Sequence, residues 1–297
     1  MKEQVKTRRE FLKQSASAAA ATALYLSLGD RIFGAIEKKT RVVLVRHEGA
    51  IDDLNKPNAD VVQKMLDDAV TALFDISDPV EAWKKIIKPT DTVGIKTNVW
   101  RYLPTTSAVE NALKKRVMDA GVSEDAIGIR DRGVLYDPVF KKATALINAR
   151  PMRTHYWSGV GTLLKNYIMF SDNPPSYHPD TCADLAKLWF LPNVKGKTRL
   201  NVLVMFTPLF HGSGPHHFNP QYIWAYKGLI VGTDPVAVDS VGVRILQSKR
   251  KLFFKEDRPL NPSPKHVFLA DTRHHLGTAD PEKIDLQILG WKKDLLI

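Results

Sequence analysis

The sequence predicts an α/β fold: a mainly parallel sheet with flanking helices and long functional loops. Three observations predict it. Short β-branched apolar runs alternate with helix-length segments through the first half of the chain. The same alternation returns in the last third, after a less regular middle. Apolar residues make up 44% and charged residues 25% of 297 residues, a balance that sustains a packed core rather than a disordered chain.

The elements follow in order. Residues 40–46 (TRVVLVR) read as a strand, and Pro57 stands at a first-turn position for a helix running to about 74. A second strand spans 92–96 (TVGIK), and a helix over 105–120 stops at Gly121. Residues 126–130 (AIGIR) give a third strand, and the spacing after Pro138 predicts a helix to about 148. From 150 to 220 the chain is rich in Pro, Gly, Asn, His and aromatics, with one predicted helix over 179–190 and one buried-type strand over 199–206. Long irregular stretches inside a compact domain are usually functional. Residues 228–232 (GLIVG) form a strand. Asp234 then caps a helix to about 247, with Pro235 in its first turn.

Residues 1–39 read as a leader and 40–297 as a single α/β domain. The leader contains Thr7-Arg8-Arg9-Glu10-Phe11-Leu12-Lys13, a twin-arginine pattern, followed by an alanine-rich run over 15–28 that is too short and too weakly apolar to span a bilayer. The expectation is export in folded form through the twin-arginine translocase, to the periplasm or cell envelope. Membrane contact then comes only through the signal, if it is uncleaved. Ser27-Leu28-Gly29 and Phe33-Gly34-Ala35 are the candidate cleavage points, and no cysteine is present there to carry a lipid.

The formal charge is +11, of which the leader carries +4. The remaining basic residues are scattered and pair with no nucleic-acid motif, so nucleic acid is not an expected partner, whereas a small anionic ligand is. Cys182 is the single cysteine, which excludes an intrachain disulfide and a cysteine-ligated iron–sulfur cluster. It reads as a packed, inert thiol. Phosphate loops of the Walker or dinucleotide type, the Gly-x-Ser-x-Gly elbow and His-Glu-x-x-His are absent.

Four stretches could carry chemistry. His155, the glycines Gly159 and Gly161, Lys165 with Asn166, and then His178 could bring imidazole and ammonium to one cleft. A lysine there can bind an anion, act as a base or form a covalent adduct. His211, Gly212, Gly214, His216 and His217 follow a predicted strand; the histidines are candidate metal ligands, and the Gly-Ser-Gly amides are candidate anion binders. Asp239 falls among apolar residues of a helix, where a carboxylate needs a partner, with Lys165, Lys96 or a histidine as candidates. Lys96 and Asn98 stand at the end of a predicted strand, a natural cleft position.

Taken together, Ile95-Lys96-Thr97-Asn98, the stretch 159–166, His178, Gly212-Ser213-Gly214-Pro215 and the Asp234-Pro235-x-Ala237-x-Asp239 block resemble the domain-of-unknown-function 362 family. The resemblance covers about residues 41–250. Lys-Thr-Asn stands where family members often have Lys-Pro-Asn, and the ferredoxin-like cysteines of many members are missing. Residues His155, Lys165 and His178 are also similar in order to a set in the nickel-pincer lactate racemases. That likeness implies a transition metal or metallocofactor, although Thr162-Leu163-Leu164 replaces the Gly-Gly-Arg of that family. The expected function is an enzyme on a small, carboxylate-type anion. In it Lys165, His155, His178 and Asp239 do the chemistry, and Lys96, Asn98, Asn166, Gly212 and Gly214 bind the ligand or a cofactor. The alternative is a periplasmic accessory protein that captures a metal, cofactor or anion without catalysis.

Overall fold

The structure, a computed structural model, describes residues 39–212, 214 and 218–297. The leader, Ser213, Pro215 and the candidate ligands His216 and His217 therefore lie outside the described residues. Residues Thr40–Ile297 form one compact unit.

Among the described residues eight strands form one open sheet, flanked by helices. They are β1 (Thr40–Arg46), β2 (Val93–Lys96), β3 (Ile127–Arg130), β4 (Ala145–His155), β5 (Gly159–Gly161), β6 (Thr198–Leu209), β7 (Gly228–Gly232) and β8 (Ile284–Gly290). The order is β3-β2-β4-β6-β7-β1-β8, with β5 paired to β4. Pairings are parallel except where β7 joins β6 and β1, and where β5 folds back on β4. The mainly parallel α/β class expected from the sequence is thus observed.

Both faces are covered, because strand side chains alternate between them. On β1, Val43 and Val45 enter the core beneath α1 (Ala59–Phe74) and α3 (Ser107–Asp119), which follows a short helix α2 (Pro79–Trp83). Val42 and Leu44 enter the opposite core, built on α6 (Pro235–Phe254) and α7 (Lys265–Thr272). Asn58 caps α1 by accepting from the amides of Asp60 and Val61, and Asp234 caps α6 by accepting from Val236 and Ala237. Among the described residues no helix is long and apolar enough to cross a membrane.

Two predicted helices are corrected. The one expected over 138–148 ends as α4 (Pro138–Lys142), and residues from 145 form the central strand β4. Pro138 starts a single turn, but Leu146 and Ile147 lie between β2 and β6, where tertiary pairing overrides local propensity. The helix expected over 179–190 is instead a left-handed turn followed by the 3-10 turn Leu185–Phe190. Asp180, Thr181 and Cys182 have φ of 51°, 52° and 64°. L-residues adopt that region at a cost of roughly 1–2 kcal/mol each, so the surrounding packing imposes it.

Candidate functional site

The cleft opens at the point where the sheet order reverses. β2 has β3 on one side and β4 on the other. Loops leaving their carboxyl ends diverge there and leave a crevice, the usual ligand position in open α/β sheets. The pairing of β4 with β2 ends at Asn148 opposite Lys96, so the rest of β4 continues past the end of β2. The resulting cleft of about 400 Å³ is lined by Asn98 after β2, by Asp131 and Arg132 after β3, and by Arg150 and His155 on β4. Lys165, Asn166 and His178 complete the polar lining.

Lys165 reaches the cleft by a tight reversal. β5 pairs Gly159 with His155 and Gly161 with Arg153, and the chain then enters the short helix α5 (Leu163–Asn166). Glycine at 161 leaves room for close approach: a Cβ would stand 3.0 Å from Arg150 Nη2 and 3.4 Å from Arg153 Cζ. Two guanidinium groups therefore stand over one glycine.

Asp239 holds this turn, although not as the sequence suggested. It forms no ion pair with Lys165 or Lys96 and no hydrogen bond to a histidine. Its Oδ2 accepts from Thr162 Oγ1 at 2.6 Å and Leu164 N at 2.9 Å, and its Oδ1 accepts from Leu163 N at 3.0 Å. The carboxylate of α6 thus caps the first turn of α5, where unpaired amides need an acceptor. Burial pushes its carboxyl up to about 7, against the pull of these three donors.

The two buried lysines differ in their partners. Lys96 Nζ donates to Thr97 O at 2.7 Å, to Asp131 Oδ1 at 2.8 Å and to Asn166 Oδ1 at 3.3 Å. Asp131 Oδ2 in turn accepts from Val99 N. Lys96 thus ties β2 to β3 and to α5, and burial lowers it to about 8 against the opposing pull of Asp131. Asn166 extends the tie, donating to Lys96 O and to Asn148 Oδ1. Lys165 Nζ has a single hydrogen-bond partner among the described residues, Cys182 Sγ at 3.6 Å. The thiol is buried as expected, but it faces the lysine rather than sitting inert in the core. Burial lowers the Lys165 ammonium to about 8, with the nearby thiol opposing the shift and Arg150 and Arg153 assisting it.

Arginine dominates the remaining field. Arg150 is 4% exposed, and its Nε has no hydrogen-bond partner. Arg153 is equally buried under the Trp100 ring, 4.4 Å from its centroid, with Nε and Nη1 both unpartnered. Burial lowers Arg150 to about 10, so it remains charged at neutral pH. Among the described residues neither arginine makes an ion pair.

The histidines are held neutral. His155 lies well below the ordinary imidazole value through burial and the charges of Arg153 and Lys165. Its Nδ1 accepts from Trp157 N at 3.2 Å, so Nε2 carries the proton and the ring is a donor. His178 rests against Trp157, with ring centroids 3.9 Å apart, and is lowered to about 4 by burial and by Lys165.

Lys165, His155, His178, Asn98 and Asn166 thus share one cleft, with Lys96 and Asp239 directly behind it. His211 stands elsewhere, with Nδ1 3.1 Å from Arg250 Nη1 and its ring against Tyr222 and Phe254. Gly212 has φ 97°, and Gly214 O accepts from Tyr156 N, so Gly214 is packed against the end of β4. Among the described residues no cluster of three His, Cys, Asp or Glu side chains could hold a metal ion. Sequence reasoning missed Arg150, Arg153, Asp131 and His266. The last is fully buried on α7 with neither ring nitrogen hydrogen-bonded, and it is lowered to about 3 by burial and by Lys165.

Residues 122–244 match the family model described as "Domain of unknown function (DUF362)". The DUF362 resemblance holds over that segment, and the Ile95-Lys96-Thr97-Asn98 stretch lies outside it. The matched segment contains Asp131, Arg150, His155, Lys165, His178 and Asp239, so most of the cleft wall lies within it. No curated protein and no solved structure matches the chain.

Proposed function

We propose that this chain is an enzyme that binds a small carboxylate-type anion on Arg150 and moves protons with Lys165, His155 and His178. One observation carries the reading: Arg150 is a buried guanidinium lining the cleft with an unpartnered Nε and no ion pair among the described residues. A buried, unpaired cation is unfavourable by several kcal/mol unless an anion completes it. Arginine suits a carboxylate because its donors match two oxygens at once. Lys165 adds a second charge and, near pH 8, a proton that can leave. General acid–base help of this kind is typically worth about 10²–10⁴ in rate.

The field sets a pH dependence. Lys165 is cationic below about 8 and neutral above it. Affinity for lactate or pyruvate is therefore expected to be highest below pH 8 and to fall as pH rises through it. Calorimetric titration across that range checks this. Lys165→Ala should remove both the pH dependence and most of the affinity; unchanged binding by this variant sinks the reading.

The donor tautomer of His155 favours a second reading, an anion-binding accessory protein without catalysis. Deuterium incorporation at carbon into a panel of hydroxy and oxo acids, followed by NMR, separates the two, because an accessory protein binds without exchange.

We further propose that the protein acts outside the cytoplasm, in the periplasm or envelope, on the strength of Arg8-Arg9 and the apolar run behind it. Replacing both arginines with lysine should retain the protein in the cytoplasm of an exporting host. An unchanged distribution on cell fractionation removes the export reading.

A further inference from the structure

We propose that Lys165 is a nucleophile that forms an imine with the carbonyl carbon of an α-oxo acid, whose carboxylate is held by Arg150. The inference rests on the anion-binding reading above and narrows its substrate class.

Burial lowers Lys96 and Lys165 alike, to about 8, but the Lys96 amine is tied up by Asp131 and two further oxygens, whereas Lys165 has no oxygen partner among the described residues. The carboxylates of Asp131 in the cleft wall and Asp239 behind it are engaged by other groups. Asp131 accepts from Lys96 and Val99, and Asp239 accepts from Thr162, Leu163 and Leu164. The one partner of Lys165 Nζ among the described residues is a thiol sulfur at 3.6 Å, a weak acceptor. Two arginines nearby disfavour its charge further, in agreement with its lowered pKa. This is the environment that makes an amine nucleophilic: desolvation beside other cations.

The placement of the thiol is imposed rather than incidental. Cys182 ends three consecutive left-handed residues, a conformation that the packing must hold against its intrinsic cost. The turn places a weak acceptor, not a carboxylate, beside the amine.

The same cleft supplies the second half of an α-oxo acid site. Arg150 lines it with an unpartnered Nε. In such an acid the carboxylate is bonded directly to the carbonyl carbon. One small ligand can therefore meet the guanidinium and present its carbonyl to the amine inside about 400 Å³.

The lone pair of neutral Lys165 Nζ attacks the carbonyl carbon, and the carbonyl π pair moves to oxygen. The ammonium nitrogen formed by the attack passes one of its protons to that oxygen, which gives a neutral carbinolamine with its nitrogen lone pair restored. A further proton on the hydroxyl lets the C–O bond break, water leaves, and the nitrogen lone pair forms the C=N bond. Amine, ketone and one proton thus become iminium and water. No oxidant or reductant is needed. His178 also lines the cleft and, held neutral, is a proton acceptor there.

Borohydride trapping tests the inference. The intact protein is incubated with pyruvate, glyoxylate, 2-oxobutyrate or 2-oxoglutarate and then reduced with sodium borohydride. The expected product is a secondary amine, seen as a mass increase equal to the acid plus two hydrogens less one water, and mapped by peptide sequencing to Lys165 among all lysines. The trapping rate should rise with pH through about 8, opposite to anion affinity. Acetone, which lacks the carboxylate, should leave the protein unlabelled, as should Lys165→Met whose melting transition matches the wild type. Labelling spread over surface lysines, or acetone trapped as well as pyruvate, overturns the proposal. Oxo acids that bind by calorimetry without any trapped adduct overturn the imine and leave the anion-binding reading standing. Absence of binding by every acid of the panel overturns both.

Discussion

Arg150→Met is expected to lower the affinity for a small carboxylate by about 100-fold while leaving the protein as stable as before or more so. The two effects have one cause. Arg150 is buried on β4, its Nε is unpartnered, and it makes no ion pair among the described residues. The buried Nε therefore gains no hydrogen bond from the protein to offset its desolvation. Exchanging a buried, poorly paired charge for an apolar side chain of similar length is commonly neutral or stabilising by about 1–4 kcal/mol. With an anion bound the balance reverses, because truncating one partner of a buried charge pair typically costs about 2–5 kcal/mol of affinity. Thermal unfolding with and without ligand reads both quantities at once. The wild type should gain stability from the ligand by mass action, and the variant should not. A variant that loses stability and keeps its affinity would assign Arg150 a purely structural role. Its distant charge partners, Asp131 and Asp239, would then be the groups it serves.

This residue also shows where the sequence was legible and where it was not. The strands β1, β2, β6 and β7 could be read because each carries a β-branched or aliphatic run that is largely buried, and the partly buried edge strand β3 because isoleucine alternates with other residues along it. β4 is just as buried, but it contains Asn148, Arg150, Pro151, Arg153 and His155, and such residues argue against an interior strand. The local rule fails there because the strand builds the cleft, and functional sites are where local consistency is expected to break. Lys165, His155, His178 and Asn98 could be proposed together because loops near strand ends are natural ligand positions. The arginines could not be proposed from residue type alone. A compositional signal was nonetheless present. Residues 138–170 contain Lys141, Lys142, Arg150, Arg153 and Lys165 but no Asp or Glu, so any cation buried there lacks a local counter-charge. His266 lies more than a hundred residues beyond Lys165 in sequence, and only the packing of α7 brings its ring into the field of that lysine.

Asp239→Ala should be the most destabilising change at the site, lowering the free energy of unfolding by about 3–5 kcal/mol. Asp239 is completely buried and serves three donors on a different segment: the Thr162 hydroxyl and the amides of Leu163 and Leu164. Alanine removes the acceptor and leaves those donors buried, at roughly 1–3 kcal/mol for each one that stays unsatisfied. Because these are the first amides of the turn that carries Lys165, ligand affinity should fall together with stability. Asp239→Asn retains one acceptor oxygen and turns an NH₂ toward a donor, so a smaller loss is expected. The pH dependence distinguishes this role from simple packing. Burial raises the carboxyl to about 7 in the folded protein, above its unfolded value near 3.8. Between those limits the native state binds more protons than the unfolded one. The contribution of this group to stability is therefore fully present below the unfolded value and declines as pH rises toward 7. Asp239→Asn should flatten that part of the stability profile in chemical denaturation. If the slope persists in the variant, another carboxyl is responsible. Asp239 would then be the fixed, ionised cap that its three donors describe, with a folded-state value below the one that burial alone would set.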